Sequence, residues 1–300
     1  MKTNETPAKP APSVALRGDT PPPGDTTGAG GRRGRLPPPP SRSTTAPGAA
    51  ALPTLQNMAR TLALTNLAEA LPEVLAAAEH GAIAYSDCIE RLLKAEINAR
   101  QERRISRILK RANLGTVEDL ESFDFSIRPK LESRVIKELC TCRFVAEKRN
   151  VLCLGEPGLG KTRIAKILGR AACFAGHSVL FVNTAVMLEH LGASLADGTY
   201  QRTLRRYTKP QLLICDEWGY EAFDQKATKH LFRLVSARHR QGSIILTANT
   251  GFRHWKALFP SEAAAVSTVD RLVDQAMILR FTGKGCRTPK EAFGANLKDD

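Results

Sequence analysis

Short apolar runs alternate with helix-like segments in the second half of the chain. Residues 151–154, 212–215 and 243–248 are largely apolar, and their length is typical of buried strands. A helical pattern follows the first run over about residues 162–176, and another covers about residues 224–240 before the third run. This alternation predicts an α/β fold with a parallel central sheet flanked by helices.

A longer helical segment precedes these strands, between about residues 85 and 112. Apolar side chains recur there at helical spacing, while the other faces are dominated by Arg and Lys. Such a helix is suited to lying on phosphates or packing against a partner, and a solvated charged face is the alternative. Its basic residues are Arg91, Lys94, Arg100, Arg103, Arg104, Arg107, Lys110 and Arg111.

A complete G-x-x-x-x-G-K-[ST] motif, the phosphate loop, follows the first apolar run at residues 155–162. Its glycines let the backbone wrap around a polyphosphate, with N–H groups and a helix N-terminus pointing at the anion. The flanking strand and helix favour nucleoside triphosphate binding over an ordinary glycine-rich turn. We expect Lys161 to reach the β and γ phosphates and Thr162 to give a hydroxyl ligand to Mg²⁺. The predicted nucleotide-binding residues are Gly155, Glu156, Pro157, Gly158, Leu159, Gly160, Lys161, Thr162 and Arg163.

Two carboxylates, Asp216 and Glu217, follow the second apolar run. Alone they would indicate an acidic loop, but beside a phosphate loop they predict hydrolysis. We expect Asp216 to hold Mg²⁺ through water and Glu217 to orient or deprotonate the attacking water. Asn249 ends the third run and is a candidate sensor of the γ-phosphate. Because parallel strands bind ligands beyond their carboxyl ends, Gly155, Asp216 and Asn249 should converge on one crevice.

The first 55 residues differ in composition from the rest of the chain. They hold twelve of the eighteen prolines and few apolar side chains, which predicts a disordered or polyproline tail. Met58 is an alternative start. The chain has no apolar stretch of about 18 residues and no apolar signal core, so we expect a cytoplasmic protein that does not enter a membrane.

The formal net charge of +14 indicates a polyanionic partner, for which nucleic acid is the natural candidate. We expect the DNA contacts close to the second apolar run, where nucleotide binding can alter them. Scattered surface charge is the alternative interpretation. The preferred contacts are Arg202, Arg205, Arg206, Lys209, Lys229 and Arg233, with Lys226, Arg238 and Arg240 beside them.

From about residue 62 to residue 290 the chain resembles the IstB-like family of transposon-encoded AAA+ ATPases, relatives of the DnaC helicase loader and the DnaA initiator. The motifs that carry this resemblance include the phosphate loop, Cys-Asp-Glu-Trp-Gly-Tyr from Cys215, Thr-Ala-Asn from Thr247 and Asp-Arg-Leu from Asp270. The aromatic–acidic–aromatic segment at residues 121–126 adds to the similarity. The resemblance implies an AAA+ P-loop domain over residues 119–290. The other expected segments are a tail at 1–55, a helical domain at 56–118 and a C-terminal tail at 291–300.

The resemblance also implies an activity. IstB-like proteins bind and hydrolyse ATP, form oligomers on target duplex DNA, and recruit or activate a partner transposase. ATPases of this kind complete their site with an arginine from the neighbouring subunit, and Arg271 is our candidate. An ion pair with Asp270 or Asp274 is the alternative role for this arginine. The predicted catalytic set is Glu217, Lys161, Asn249 and Arg271.

Two other functions remain open at this point. A helicase loader of the DnaC type shares the same motifs but acts with single-stranded DNA and a replicative helicase. A nucleotide-switched adaptor without turnover is a second alternative, although the intact Asp216-Glu217 pair argues against it.

Overall fold

Five parallel strands form the centre of the molecule. The computed structural model describes residues 47–81 and 83–283. The strands are β1 (Val151–Gly155), β2 (Val179–Asn183), β3 (Leu212–Trp218), β4 (Ser243–Ala248) and β5 (Met277–Phe281). They lie in the order β2-β3-β4-β1-β5, and each neighbouring pair is parallel. The predicted α/β fold with a parallel central sheet is therefore confirmed.

Helices cover both faces of this sheet. Those that precede it are α1 (Pro47–Thr61), α2 (Thr65–Glu79), α3 (Tyr85–Ala112), α4 (Ser133–Leu139) and α5 (Arg143–Ala146). Those within it are α6 (Lys161–Phe174), α7 (Thr184–Ala193), α8 (Tyr200–Thr208), α9 (Gln225–Arg238) and α10 (Glu262–Val273). Two 3₁₀ turns lie at Leu120–Ser122 and Phe252–Leu258.

The apolar runs of β1, β3 and β4 are continuous because these three central strands bury both of their faces. In β1, Val151 and Cys153 belong to a core that includes α4, α5 and α6, while Leu152 and Leu154 belong to a second core that includes α7, α9 and α10. Helix α6 lies close to the sheet at Gly169, where an added Cβ would be 2.6 Å from Ile214 Cδ1. Because helices pack on both faces of the sheet, the positions of the strand ends and of the residues that follow them are fixed.

A buried carboxylate joins α2 to α3. Glu96 of α3 is 4% exposed and accepts the N–H groups of Asn66 and Leu67 at 3.0 and 3.3 Å, which caps the N-terminus of α2. The bond from Arg100 holds the pKa of Glu96 below its usual value. At its other end α3 reaches the sheet, where Asn113 Nδ2 donates to Phe181 O of β2 at 3.4 Å.

Several sequence-based expectations differ from the structure or lie outside it. Helix α1 covers residues 47–55, which composition alone assigns to the tail, because 49–52 are alanine and leucine, good helix formers. Strand β2 is a further apolar run, which the sequence patterns above do not include. The remainder of the predicted tail and residues 291–300 lie outside the described residues, and the predicted domain limits stay predictions. Within residues 47–81 and 83–283, none of the helices is long and apolar enough to cross a bilayer.

One predicted DNA contact is wrong. Arg238 is 1% exposed, so its guanidinium has no access to a nucleic acid. It donates to five backbone carbonyls around the start of β3 and β4, and burial lowers its pKa to about 10. The carbonyls belong to Tyr207, Thr208, Pro210, Gln211 and Ser243. The charge is visible in the sequence, but the face of α9 that becomes buried is not.

We expect Arg238→Met to lower the free energy of unfolding by about 3 kcal/mol or more, since it leaves buried carbonyls without donors. Arg240→Met is the matched control, because Arg240 is exposed and, among the described residues, its side chain bonds Asp274 alone. Its cost should be about 1 kcal/mol or less. Urea unfolding measures both variants, and equal small losses would contradict the structural role of Arg238.

Candidate functional site

Three strand ends meet at one edge of the sheet. β4 lies between β1 and β3, and Leu154 of β1 pairs with Ala248 of β4. Trp218 of β3 pairs with the same Ala248. The phosphate loop after β1, the carboxylates of β3 and Asn249 after β4 therefore lie side by side, as the strand order requires.

The phosphate loop connects β1 to α6 through glycines with left-handed backbone. Gly158 and Gly160 have φ values of +78° and +88°, which side-chain-bearing residues rarely adopt. The N–H groups of both glycines and of Thr162 donate to no other described residue. Lys161 begins α6, is 6% exposed and donates to Glu156 O of the loop at 2.7 Å. The loop thus presents amide donors and an ammonium group at a helix N-terminus.

A segment before the sheet braces the loop from outside. Phe123 packs on Gly160, where an added Cβ would lie 2.8 Å from the ring. Buried Arg128 donates from Nε to Leu159 O at 3.0 Å. Arg163 lies over the Phe123 ring and bonds Ser122. In the sequence, residues 121–126 stand out only as a family feature, and their pattern does not predict these contacts.

Asp216 of β3 is hydrogen-bonded to three threonines on the elements around it. Its Oδ1 accepts the hydroxyl of Thr162 at 2.8 Å and the hydroxyl of Thr247 at 2.5 Å. Its backbone carbonyl accepts the hydroxyl of Thr184 at 2.8 Å. The residue is 8% exposed. Asp216 and Thr162, the predicted Mg²⁺ residues, are therefore in direct contact.

Glu217 is turned away from its neighbour by its backbone. Its φ is +57°, and the β3–β4 register shifts between Cys215 and Trp218. Its N–H donates to Thr247 Oγ1 at 3.0 Å, and its exposed carboxylate accepts Asn183 Nδ2 at 2.6 Å. The left-handed turn thus lets adjacent carboxylates point to different partners.

Asn183 is a functional candidate that the sequence motifs do not include. It ends β2, and its Oδ1 also caps α7 by accepting the N–H groups of Ala185 and Val186. Asn183 and Glu217 both line a cavity of about 510 Å³ between α7 and α9. The signal available in the sequence is a polar residue at the end of an apolar run, the pattern that identifies Asn249.

Asn249 lies at the expected strand end and is half-buried, and its side chain bonds no other described residue. Arg271 lies elsewhere. Its helix α10 leads into β5, whose Met277 pairs with Val151 at the start of β1, about 13 Å of strand away from Gly155. Arg271 bonds Ser267 and lies 4.9 Å from the centre of the Phe232 ring.

Neither predicted carboxylate partner of Arg271 pairs with it among the described residues. Asp274 instead accepts His239 and Arg240, and these two bonds hold its pKa below its usual value. Arg271 is half-buried, and the end of α10 that carries it lies towards the start of β1, away from the strand ends that carry the phosphate loop.

The predicted DNA contacts occupy α8 and α9. All six preferred residues are exposed, and Arg233 stacks on the Tyr200 ring with 5.4 Å between guanidinium carbon and centroid. They are Arg202, Arg205, Arg206 and Lys209 on or just after α8, and Lys229 and Arg233 on α9.

Comparison with known proteins assigns the family. Residues 57–292 match the family described as IstB-like ATP binding protein. The chain belongs to this family. It is 33% identical over 218 residues, 73% of this chain and 87% of the relative, to a protein of insertion sequence IS5376 from Geobacillus stearothermophilus whose name assigns it ATP binding. A similarly named protein of IS21 from Pseudomonas aeruginosa is 35% identical over 203 residues, 68% of this chain and 77% of the relative.

The IstB-like chain is also similar in part to solved replication proteins. It matches DnaI with a TM-score of 0.47 and 19% identity over 56% of this chain and 92% of that one. It matches the DnaC helicase loader with a TM-score of 0.42 and 18% identity over 59% and 99% of the two chains. The predicted family is confirmed, and the family match covers the sheet and the helices around it.

Proposed function

We propose that this protein is an ATP-dependent helper of an insertion-sequence transposon that hydrolyses ATP, oligomerises on target duplex DNA, and recruits or activates its transposase. The contact between Thr162 and Asp216 carries the proposal, because it brings the phosphate loop against the carboxylate strand. The insertion-sequence relatives supply the biological setting.

The residues of the loop fit a nucleoside triphosphate. The loop presents amide N–H groups that donate to no other described residue, and it lies at a helix N-terminus beside the Lys161 ammonium. Together these groups match the negative charge of a polyphosphate. Lys161 now donates to the loop carbonyl of Glu156, and this bond would be exchanged for phosphate oxygens. Arg163, held by Glu118 and Ser122, fixes the first turn of α6.

Thr162 and Asp216 fit Mg²⁺, since a hydroxyl and a carboxylate are hard oxygen ligands that already lie in contact. When bound there, the ion would neutralise charge that develops on the phosphate oxygens. Thr247 holds the Asp216 carboxylate from the other side and so limits its rotation. The protein's own part is thus to present these oxygens in one fixed orientation.

Glu217 supplies the base. In hydrolysis a water oxygen bonds to the γ-phosphorus, the bond from that phosphorus to the bridging oxygen breaks, and the water proton passes to the Glu217 carboxylate. Asn249, beyond the adjacent strand, is placed to bond the γ-phosphate. While Asn183 donates to Glu217, the carboxylate is held on the α7 side, so we expect turnover to require its release.

Arg271 completes the site from a neighbouring subunit. Because Arg271 lies away from the phosphate loop of its own chain, full activity would require the protein to form an oligomer. ATP would therefore bridge two subunits, and hydrolysis would loosen them.

The first test separates binding from turnover. Lys161→Ala should lose ATP binding, whereas Glu217→Gln should keep it and lose at least about 100-fold in turnover, as expected when a general base is removed. With ATP, the Glu217→Gln protein should assemble on long duplex DNA. Binding and turnover are measured by fluorescent-nucleotide titration and phosphate release.

The other outcomes identify other functions. Near-normal hydrolysis by Glu217→Gln would remove this residue from catalysis. A preference for single-stranded DNA would favour a helicase loader, and assembly without any wild-type turnover would favour a nucleotide-switched adaptor.

Asn183→Ser tests whether the hydrogen bond from Asn183 restrains the Glu217 carboxylate. Serine retains the cap of α7 but does not reach the carboxylate, so basal turnover without DNA should rise about fivefold, the equivalent of one hydrogen bond of about 1 kcal/mol. Asn98→Ser, at an exposed position of α3, is the control. Unchanged or reduced basal turnover in Asn183→Ser would show that the bond does not restrain catalysis.

Mixing experiments test Arg271. Arg271→Ala and Glu217→Gln subunits should each be inactive alone, while their mixture should regain turnover, because some interfaces then combine an intact arginine with an intact glutamate. Steady-state phosphate release at varied subunit ratios measures this. A mixture no more active than its components would exclude action in trans.

A further inference from the structure

Five arginines lie along one face of α3 and form what we call the arginine row. Their spacing places them within about 100° of the helix circumference, over about 16 Å of its length. They belong to the C-terminal half of α3, and all are exposed. The arginine row consists of Arg100, Arg103, Arg104, Arg107 and Arg111.

The positive charge of the row is largely uncompensated. Arg100 and Arg103 share the buried Glu96, at 2.7 and 3.5 Å. Among the described residues, Arg104, Arg107 and Arg111 form no ion pair with a carboxylate. Arginines that stabilise an exposed helix normally find acidic neighbours three or four positions away. Arg104 instead donates to Gly176 O at 3.3 Å, which leaves Arg107 and Arg111 without a structural explanation.

The row lies in a groove and not on a convex surface. Near Arg100, Arg103 and Arg107 it borders a cavity of about 680 Å³ that also includes Ala63 of the α1–α2 turn. Near Arg104 and Arg111 it borders another, of about 460 Å³, lined also by Gly176, Ser178, Val179 and Gln211. The walls combine these guanidinium groups with the polar side chains of Ser106, Ser178 and Gln211, beside the apolar Ala63, Ile108 and Val179. The concentration of positive charge suits an anionic chain better than an apolar ligand.

The groove leads directly to the basic residues of α8. Gln211 exchanges two hydrogen bonds with Ser178, at 3.0 and 3.1 Å, and follows Lys209 by two residues. The buried Arg238 fixes this turn by bonding the carbonyls of Thr208, Pro210 and Gln211. The cavity wall at Gln211 is therefore two residues from Lys209 at the end of α8.

We infer that the phosphodiester backbone of duplex DNA binds along the arginine row and continues onto the end of α8 at Arg205, Arg206 and Lys209. About 16 Å of helix covers close to half a turn of a duplex, whose pitch is about 34 Å. Arginine guanidinium groups suit phosphate oxygens, and contacts of this kind carry no base preference. This inference rests on the proposed function and names the surface by which it reaches DNA.

The decisive variant is Arg107→Glu/Arg111→Glu. Among the described residues, neither side chain forms a hydrogen bond or ion pair outside α3, so the fold should be retained. ATP turnover without DNA, measured with Glu217 intact, reports whether it is. Arg134→Glu/Lys137→Glu on α4 is the matched control: it changes the charge equally at exposed positions that line neither cavity. A third variant, Arg107→Lys/Arg111→Lys, tests rescue by charge.

Binding of a long fluorescent duplex is measured with ATP in the Glu217→Gln background, from about 50 to 200 mM salt. We expect the Arg107→Glu/Arg111→Glu protein to bind at least about tenfold more weakly, and the slope of log K against log salt to fall by about 2. The α4 control should keep the unmodified slope, and the lysine variant should recover most of the binding. Arg107→Gln/Arg111→Gln should show a smaller loss, and replaces the glutamate variant if that protein does not fold.

Different negative results would reject the proposed function and the assignment of the arginine row as its DNA surface. If the unmodified protein binds no duplex with ATP, the DNA-binding part of the proposed function fails. If it binds and the row variant keeps the affinity and slope of the α4 control, the row is not the DNA surface although the function stands. If the variant loses only single-stranded DNA, the assignment to duplex is overturned.

Discussion

The carboxylate of Asp216 holds together the parts of the candidate site. One of its oxygens accepts hydroxyls from Thr162, on the helix after the phosphate loop, and from Thr247, on the adjacent strand. Each hydroxyl belongs to an element whose position is already set by the buried sheet. A charged acceptor strengthens both bonds, because it is almost wholly removed from water. The phosphate loop, β3 and β4 therefore cannot move independently without breaking one of these two hydrogen bonds.

This constraint explains why the next residue takes an unfavourable backbone. With Asp216 turned inward, a regular strand would send Glu217 to the opposite face of the sheet. A positive φ and a shift of register instead leave its carboxylate at the crevice, within reach of Asn183. Thr247 compensates part of the cost by accepting the Glu217 N–H. Strain of this kind persists where neighbouring contacts over-determine it.

The sequence was sufficient for the fold and for the residues that meet at the strand ends, because buried strands and phosphate loops follow from local patterns. The strands β1, β3 and β4 can be recognised from the length and apolar composition of their runs. The parallel topology then brings Gly155, Asp216 and Asn249 together. Contacts between distant segments could not be derived in this way. The bond from Asn183 to Glu217 depends on β2 lying next to β3, and the position of Phe123 on Gly160 depends on how the chain approaches the sheet.

Charge was the least predictable property, because its meaning depends on burial. Arg238 and Arg240 are two residues apart, yet one is enclosed by carbonyls and the other is exposed. A count of charges along the sequence treats the two residues alike. Arg238 instead has a structural role, because it fixes the turn that carries Lys209.

Strand β2 borders both the arginine row and the carboxylate site. Its first residue, Val179, lines the groove, and its last, Asn183, holds Glu217. Between them, Phe181 accepts the bond from Asn113 at the end of α3. Within the described residues β2 lies at an edge of the sheet and pairs with β3, so its position depends on one ladder and on the helices around it. A displacement of α3 would therefore act on a strand that has one neighbouring strand in place of two. Because hydrogen bonds weaken steeply with distance and angle, a displacement of well under about 1 Å at Asn183 is enough to change its hold on the Glu217 carboxylate.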